Sequence, residues 1–220
     1  MQDLETITQG LEQRPDGIWH GTGTEDVSYP QSGHDSCFAL EERSFWFRHR
    51  NQCITAVVNR FPPAPGGTIF DIGGGNGFVT NGLEKAGFDV VLVEPGLEGA
   101  ENARKRGLKN VVCATTESAR FNPHSMAAVG LFDVVEHIED DQAFLEMISG
   151  LLRKDGRVYI TVPAYSILWS DQDVSAGHFR RYNRKAICAV MERAGYRIEF
   201  ASYIFRILPL PIALLRALPY

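Results

Sequence analysis

The stretch Thr68-Ile-Phe-Asp-Ile-Gly-Gly-Gly-Asn-Gly-Phe-Val-Thr80 decides the fold of this chain. A short apolar strand over 69–72 is followed by glycines at positions 73, 74, 75 and 77, and an apolar helical pattern begins at Phe78. A glycine-rich turn between a strand and a helix lets the backbone approach a ligand closely, because no Cβ lies in the way. The dinucleotide fingerprint G-x-G-x-x-G would need its last glycine at position 78, which is Phe. The turn therefore indicates a nucleotide-like ligand held by a different glycine spacing.

The composition is that of a single globular domain. The chain has 220 residues, of which 44% are hydrophobic, so it can bury one sizeable core. Its net charge of −5 argues against a nucleic-acid partner. The cysteines show neither C-x-x-C pairs nor companion histidines, so we expect reduced thiols and no metal site. Because there is no signal-peptide layout and no apolar run of about 18 residues, we expect a cytoplasmic protein without a transmembrane span.

Strands and helices alternate on both sides of the turn. Apolar runs and turn residues predict strands over 69–72, 89–93, 110–114, 127–134, 157–162 and 196–203, and helices over 41–61, 78–86, 96–106, 140–153 and 184–194. Such alternation predicts a doubly wound, mostly parallel Rossmann-like α/β sheet. Ligands of such sheets bind outside the carboxyl ends of the strands. We therefore expect the glycine turn, Glu94, the segment after Cys113 and Asp133 to converge on one crevice.

Four motifs follow one another along the chain: the segment 71–77, Glu94 at the end of the second strand, and the segments 132–140 and 152–163. With these motifs in this order, the chain resembles the class I S-adenosylmethionine-dependent methyltransferases, in a type 11/12-like bacterial branch. The resemblance covers about residues 41–203. It implies S-adenosyl-L-methionine as the methyl donor and S-adenosyl-L-homocysteine as the product.

We expect three parts in the chain. Residues 1–61 form an N-terminal arm without regular elements followed by a lid-like helix, residues 62–205 form the cofactor-binding core, and residues 206–220 form an apolar tail. Prolines in the tail oppose a strand, so for the seventh strand of the full methyltransferase fold we expect one of two cases: the sequence ends before it, or the strand is missing and the apolar tail covers that edge of the sheet. The tail is too short to span a bilayer but is suited to peripheral contact with a membrane surface or a partner.

The resemblance assigns the cofactor contacts to the strand ends. In this family the glycines of the turn meet the methionine end of the cofactor, the carboxylate at position 71 holds its amino group, and the acidic residue at position 94 accepts the ribose hydroxyls. Three residues compete for the adenine amino group, and the sequence does not choose between Thr115, Thr116 and Glu117. The full predicted set is Asp71, Gly73, Gly75, Gly77, Glu94, Pro95, Thr115, Thr116, Glu117 and Asp133.

Two histidines are candidate general bases. His137 follows the fourth strand and ranks first, and His178 ranks second, because imidazole titrates near neutral pH. The alternative is that a neighbouring carboxylate holds His137 in a structural role. The long aromatic and basic loop over 165–182 is predicted to contact the acceptor. Its candidate acceptor-binding residues are Trp169, His178, Arg180, Arg181 and Tyr182.

These features predict an enzyme that methylates a small-molecule or lipid-linked acceptor, at oxygen by our interpretation of the histidines. Four cations between positions 180 and 185 favour an anionic acceptor. One alternative is an NAD(P)-dependent oxidoreductase, which the glycine spacing disfavours. The other is a domain that binds S-adenosylmethionine without turnover.

Overall fold

The computed structural model describes residues 4–22 and 38–205, together with Leu208 and Pro211. Helices are α1 (Leu4–Ile7), α2 (Phe45–Arg60), α3 (Phe78–Lys85), α4 (Leu97–Lys105), α5 (Thr116–Ala119), α6 (Asp141–Leu151), α7 (Asp171–Ser175) and α8 (Arg184–Arg193). Short 3-10 helices cover Val135–His137 and Ser166–Leu168. Strands are β1 (Leu11–Gln13), β2 (Trp19–Gly21), β3 (Ile69–Ile72), β4 (Val90–Val93), β5 (Val111–Cys113), β6 (Met126–Phe132) and β7 (Leu152–Thr161).

The chain divides into two compact units. Unit 1 comprises Met1–Val134 and Gly150–Thr161, and unit 2 comprises Val135–Ser149 and Val162–Tyr220. The sheet lies in unit 1, whereas α7, α8 and both 3-10 helices lie in unit 2. None of the helices within 4–22 and 38–205 is long and apolar enough to cross a lipid bilayer.

Within the described residues, seven strands form one sheet in the order β1-β2-β5-β4-β3-β6-β7. Of the pairings between these strands, β1–β2 alone is antiparallel, and the other neighbours run parallel. The predicted doubly wound, mostly parallel α/β sheet is therefore confirmed. The chain leaves β3 for β4 on one side and returns to pair β6 with its other side, so β3 lies at the topological switch point. Ligands bind at the carboxyl end of such a strand.

Apolar side chains cover both faces of the central strands. Every residue of β3, β4 and β6 is buried, as expected for parallel strands with helices on either side. On one face the α2 residues Ile54 and Val58 join a core cluster with Leu83 of α3. Burying each of these side chains stabilises the fold by about 1.5 to 3 kcal/mol. The packing holds β3 rigid and fixes where the glycine turn begins.

The N-terminal arm is more ordered than its sequence suggests. Its strands β1 and β2 form a hairpin, and β2 pairs in parallel with β5 through Trp19–Val112 and His20–Cys113. The expectation of no regular element before position 40 is therefore wrong for residues 4–22. The sheet also has seven strands, contrary to the expected loss of one, but its antiparallel strand is the N-terminal β1 at the edge opposite β7 and does not come from the C-terminal tail. Each hairpin strand has only three residues, which is too short to show a periodic pattern.

Two further expectations concern the C-terminal region. The strand predicted over 196–203 does not form; the chain there is irregular, and the Tyr196 hydroxyl donates to the Leu145 carbonyl 2.8 Å away. Phe200 is 53% exposed, so the apolar residues of this segment do not line a buried strand face. The tail over 206–220 lies outside the described residues except for Leu208 and Pro211. Its predicted membrane or partner contact stays a prediction.

Candidate active site

The glycine turn follows β3 directly and has left-handed backbone at Gly73, Gly75 and Gly77. A Cβ at Gly73 would lie 2.8 Å from Val134 Cγ2, and one at Gly77 would lie 2.4 Å from Leu108 Cδ1. A Cβ at Gly75 would meet no atom within 4 Å. Two of the three predicted glycines are thus needed for packing inside the protein as well. Gly75 is the one whose missing side chain leaves open space above the turn.

Asp71 is a buried carboxylate at the end of β3. The residue is 0% exposed, and its Oδ2 accepts a hydrogen bond from the Thr80 hydroxyl at 2.5 Å. Its Oδ1 has no hydrogen-bond partner among the residues that the structure describes. Burial, reinforced by the charge of Glu94 and opposed by Thr80 and Arg50, raises the pKa of Asp71 to about 7. A cation donating to Oδ1 would favour the charged form of this carboxylate.

Glu94 follows β4 and bridges two backbone segments. Its Oε2 accepts from the Gly75 N–H at 2.8 Å, and its Oε1 accepts from the Gly96 N–H at 2.8 Å. These two bonds fix the glycine turn and the start of α4 to the same carboxylate. The residue is 6% exposed, so little water competes for them. Pro95 comes next, and its carbonyl accepts from the Cys113 thiol at 3.7 Å. The predicted ribose contact of Glu94 stays a prediction.

Asp133 follows β6 and is held by Arg50, a residue that the sequence analysis missed. Arg50 Nη2 lies 2.8 Å from Asp133 Oδ2 and donates to Thr161 Oγ1 at 2.9 Å. The Thr161 hydroxyl in turn donates to Asp133 Oδ1 at 2.9 Å. In the sequence, Arg50 occupies a polar position of the helical pattern of α2, like several neighbouring residues. Nothing local therefore marks it as a residue of the site. It supplies positive charge next to two carboxylates, Asp71 and Asp133.

The segment after β5 is organised by a helix cap. The Thr115 hydroxyl accepts from the Ser118 N–H at 3.1 Å, while the Ser118 hydroxyl accepts from the Thr115 N–H at 3.1 Å. Thr116 is buried and donates to Glu117 Oε2 at 2.9 Å. Thr115 thus has a clear structural role as the N-cap of α5. Whether Thr115, Thr116 or Glu117 meets adenine stays a prediction.

Arg106 ties the region before α2 to the glycine turn. Its side chain is 2% exposed, donates from Nε to the Asn76 carbonyl at 3.0 Å, and pairs with Glu41 Oε2 at 2.6 Å. Its guanidinium also lies over the Phe38 and Phe78 rings, at 4.6 and 5.2 Å from their centroids. Burial raises the pKa of Glu41, although the charge of Arg106 opposes the shift. Nothing in the sequence pattern predicts these contacts of Arg106.

Unit 2 contains a second group of titratable side chains. Glu136, His137 and His178 each offer one ligand atom, and the three atoms lie within 4.8 Å of one another. The two imidazole rings meet edge to face with centroids 4.7 Å apart. Glu136 is 0% exposed, and its carbonyl accepts from the Phe179 N–H at 2.8 Å. The two candidate bases of the sequence analysis are therefore neighbours.

Asp173 holds His178 and Arg181 in place. His178 Nδ1 donates to Asp173 Oδ1 at 2.9 Å, and Arg181 donates to both oxygens, at 2.7 Å from Nε and 2.9 Å from Nη2. Burial opposes the charge of Asp173, but the hydrogen bonds from Arg181, His178 and the Ser170 N–H outweigh it and hold the pKa of Asp173 below its usual range. The sequence contained no signal for this role of Asp173.

The other predicted acceptor residues differ in their exposure. Arg180 pairs with Asp141 at 2.8 Å, and the buried Tyr182 donates to the same Asp141 carboxylate at 2.7 Å. Burial and this hydrogen bond raise the pKa of Tyr182 above its usual range. Trp169 is 40% exposed. Arg180, Arg181 and Tyr182 thus have internal partners, and their contact with an acceptor stays a prediction.

A family model for a methyltransferase domain matches residues 46–199, which is more than half of the chain. The chain belongs to the class I S-adenosylmethionine-dependent methyltransferases. The resemblance drawn from the four motifs is confirmed, and with it the methyl donor of the family. The alternative of an NAD(P)-dependent oxidoreductase is set aside.

Several curated relatives of this methyltransferase are named ubiquinone biosynthesis O-methyltransferase. The chain is 28% identical over 102 residues to the ubiquinone biosynthesis O-methyltransferase of Pectobacterium carotovorum, covering 44% of this chain and 43% of that protein. It is 27% identical over 123 residues to the human mitochondrial ubiquinone biosynthesis O-methyltransferase, covering 51% of this chain and 33% of that protein. The match thus spans less than half the length of both relatives.

Solved methyltransferases share the fold at low sequence identity. An S-adenosylmethionine-dependent methyltransferase from Thermotoga maritima superposes with a TM-score of 0.57 at 22% identity, covering 73% of this chain and 79% of that one. The phosphoethanolamine N-methyltransferase 2 of Haemonchus contortus, in complex with S-adenosyl-L-methionine, gives a TM-score of 0.57 at 22% identity, covering 79% and 45%. These likenesses establish the architecture.

Proposed function

We propose that this methyltransferase transfers a methyl group from S-adenosylmethionine to a hydroxyl oxygen of a small-molecule or lipid-linked acceptor. The observation that carries the cofactor assignment is the buried Asp71 carboxylate, whose Oδ1 has no partner among the described residues, at the strand end that leads into the open glycine turn. The names of the curated relatives support oxygen as the acceptor atom.

The residues of unit 1 fit the proposed cofactor. An ammonium group would supply the donor that Asp71 Oδ1 lacks among the described residues, and it would offset the burial of that carboxylate. Gly75 leaves room for a ligand against the backbone, and Glu94 offers carboxylate oxygens at the next strand end. Arg50 adds a cation suited to the carboxylate of an amino acid. We infer that the methionine end of the cofactor is held by this carboxylate and this guanidinium together.

Bound S-adenosylmethionine supplies an electrophilic methyl group on a sulfonium. An oxygen nucleophile displaces the sulfur in line, so the C–S bond breaks as the C–O bond forms, and sulfur keeps the electron pair. The hydroxyl proton must leave during this step. We propose His137 or His178 as its acceptor, and the hydrogen bond from His178 Nδ1 to Asp173 would leave Nε2 of that ring as the basic nitrogen.

The acceptor is expected to meet the loop over 165–182 at its exposed side chains. Trp169 and Phe179 are 40% and 50% exposed and can cover an apolar ring or chain. Arg180 and Arg181 are paired with Asp141 and Asp173, so their first contribution is to shape this loop. An anionic group on the acceptor stays a prediction that depends on these arginines exchanging partners.

Two measurements test the proposed function in sequence. Isothermal titration calorimetry should show binding of S-adenosylmethionine and S-adenosylhomocysteine but not of NADH. Incubation with methyl-labelled cofactor and a panel of phenols, catechols and amines should then give methyl ethers, identified by mass spectrometry and NMR. N-methyl products would overturn the oxygen assignment. Cofactor binding with no labelled product from the panel or a cell extract would identify a binding domain without turnover.

A further inference from the structure

Unit 2 brings two imidazoles and one carboxylate together at Glu136, His137 and His178. We propose that these three residues bind one divalent transition-metal ion, with Zn²⁺ as the best-matched member of that class. Their ligand atoms already lie within 4.8 Å of one another. Ligand bonds of about 2.0 to 2.2 Å place the donor atoms about 3 to 4 Å apart, so small side-chain rotations complete the site. This departs from the sequence-based expectation of no metal site.

The orientation of His178 supports the assignment. A histidine that ligates a metal through one ring nitrogen usually donates from the other to a carboxylate or carbonyl. His178 Nδ1 does this to Asp173 Oδ1 at 2.9 Å, which directs Nε2 away from Asp173. Asp173 is 1% exposed and is itself fixed by two hydrogen bonds from Arg181. The chain thus contains the outer shell of a metal site as well as its ligands.

The backbone also brings the ligands together before any ion arrives. Glu136 and His137 lie on the 3-10 helix Val135–His137, and the Phe179 N–H donates to the Glu136 carbonyl at 2.8 Å. His178 donates its own N–H to the Asp173 carbonyl at 2.9 Å. The first bond joins the two segments that supply ligands, and the second holds the His178 backbone to Asp173. An ion binding here would therefore order little additional chain.

The donor set indicates the class of metal. Two imidazole nitrogens and one carboxylate oxygen suit Zn²⁺, Mn²⁺ or Fe²⁺, whereas Mg²⁺ and Ca²⁺ prefer oxygen ligands throughout. Three protein ligands leave at least one coordination position open, as in catalytic zinc sites. A ring nitrogen of His137 or His178 that binds the ion cannot also accept a proton, so bound metal would exclude these nitrogens as the general base.

The test measures metal binding without cofactor or acceptor. Chelator-treated protein is titrated with Zn²⁺ by calorimetry and with Co²⁺ by visible absorption, and we expect one ion per chain. His178→Ala and Glu136→Gln should each abolish the stoichiometric site. Asp173 would act on the metal only through its hydrogen bond to His178, so Asp173→Asn should weaken Zn²⁺ binding about 10- to 100-fold. His49→Ala, on α2, is the matched control and should leave the Zn²⁺ affinity unchanged.

The outcomes separate the metal site from the proposed function. Absence of a one-to-one Zn²⁺ or Co²⁺ complex in the unaltered protein would overturn the metal site, as would unchanged affinity in Glu136→Gln. Near-ultraviolet circular dichroism of each variant shows whether it is folded, and Glu136→Gln keeps the test valid if His178→Ala does not fold. Ion binding with no methyl transfer to any acceptor would count against the proposed function alone. If the chelator-treated protein binds no ion and its methyl transfer is undiminished, the metal site is overturned and His137 and His178 keep their proposed role as general bases.

Discussion

Replacing Asp71 by Asn should change how the stability of the cofactor-free protein depends on pH. The pKa of this carboxyl is raised from 3.8 to about 7, chiefly by burial, so the folded state holds its proton where the unfolded state has lost it. The free energy of unfolding therefore falls as pH rises between these two values. Over the whole interval the Asp71 contribution falls by about 4 kcal/mol, or about 1.4 kcal/mol for each pH unit.

The amide of the Asp71→Asn variant would carry no charge at any pH, so this loss should be absent from the variant. The weaker hydrogen bond from Thr80 should cost the variant about 1 kcal/mol at every pH. We expect the variant to be slightly less stable than the unaltered protein near pH 4 and clearly more stable at pH 8. Subtracting the two curves removes the contributions of other groups, including the charges of Arg50 and Glu94 that act on Asp71.

Urea unfolding of both proteins at pH 5, 6, 7 and 8 gives the difference directly. Two curves that stay parallel across this range would refute the raised pKa and the burial argument behind it. Calorimetry with S-adenosylmethionine supplies the matching functional measurement. The affinity of the unaltered protein for S-adenosylmethionine should rise by up to about tenfold per pH unit until pH 7 and then level off, because the ammonium group of the cofactor binds the ionised form of Asp71. The variant should bind weakly at every pH.

Three other substitutions test separate parts of the site. Gly75→Val should eliminate S-adenosylmethionine binding in calorimetry. The control Gly66→Val, also at a left-handed glycine with open space around it, should cost a similar amount of stability, about 1 to 2 kcal/mol (the cost of left-handed backbone at a residue with a side chain), but keep the cofactor affinity. Equal affinity in both variants would exclude the turn as the site. Glu94→Gln should weaken cofactor binding about tenfold or more, and an unchanged dissociation constant would rule out the ribose contact. Arg181→Ala should lower the free energy of unfolding by about 3 kcal/mol, because it leaves Asp173 buried without its bidentate partner. A free energy of unfolding, measured by thermal denaturation, within about 0.5 kcal/mol of that of the unaltered protein would contradict this.

The parts of the fold that depend on local pattern could be predicted from the sequence. The strand over 69–72 and its glycine turn have the expected bounds, because apolar run, turn residues and helix start lie within a dozen positions of each other. The hairpin β1–β2 could not be predicted in the same way. Its partner β5 is distant in sequence, and three-residue strands carry no usable alternation. The strand wrongly expected over 196–203 shows the converse, since apolar alternation alone does not supply a neighbouring strand to pair with.

In the candidate site, too, some residues could be predicted from local sequence pattern, whereas others depend on partners distant in the sequence. Asp71 and Glu94 lie at strand ends, where topology alone brings them to one edge of the sheet, so the sequence could predict this placement. Arg50 and Arg106 reach that edge from helix positions that look like ordinary solvated cations, and only the packed structure shows their partners. Arg181 is the opposite case. Its charge suggested an acceptor contact, but the bidentate bond to Asp173 gives it an internal role that no spacing rule reveals.

The pairing of β2 with β5 has a consequence for the order in which the chain acquires its structure. His20 lies beside Cys113, roughly ninety residues later in the sequence. A ribosome adding about 5 to 20 residues per second needs about 5 to 20 s to make that interval. The hairpin therefore leaves the ribosome long before the strand that it joins exists. We expect this edge to be completed late in biosynthesis, after the β3–β4–β5 segment has folded.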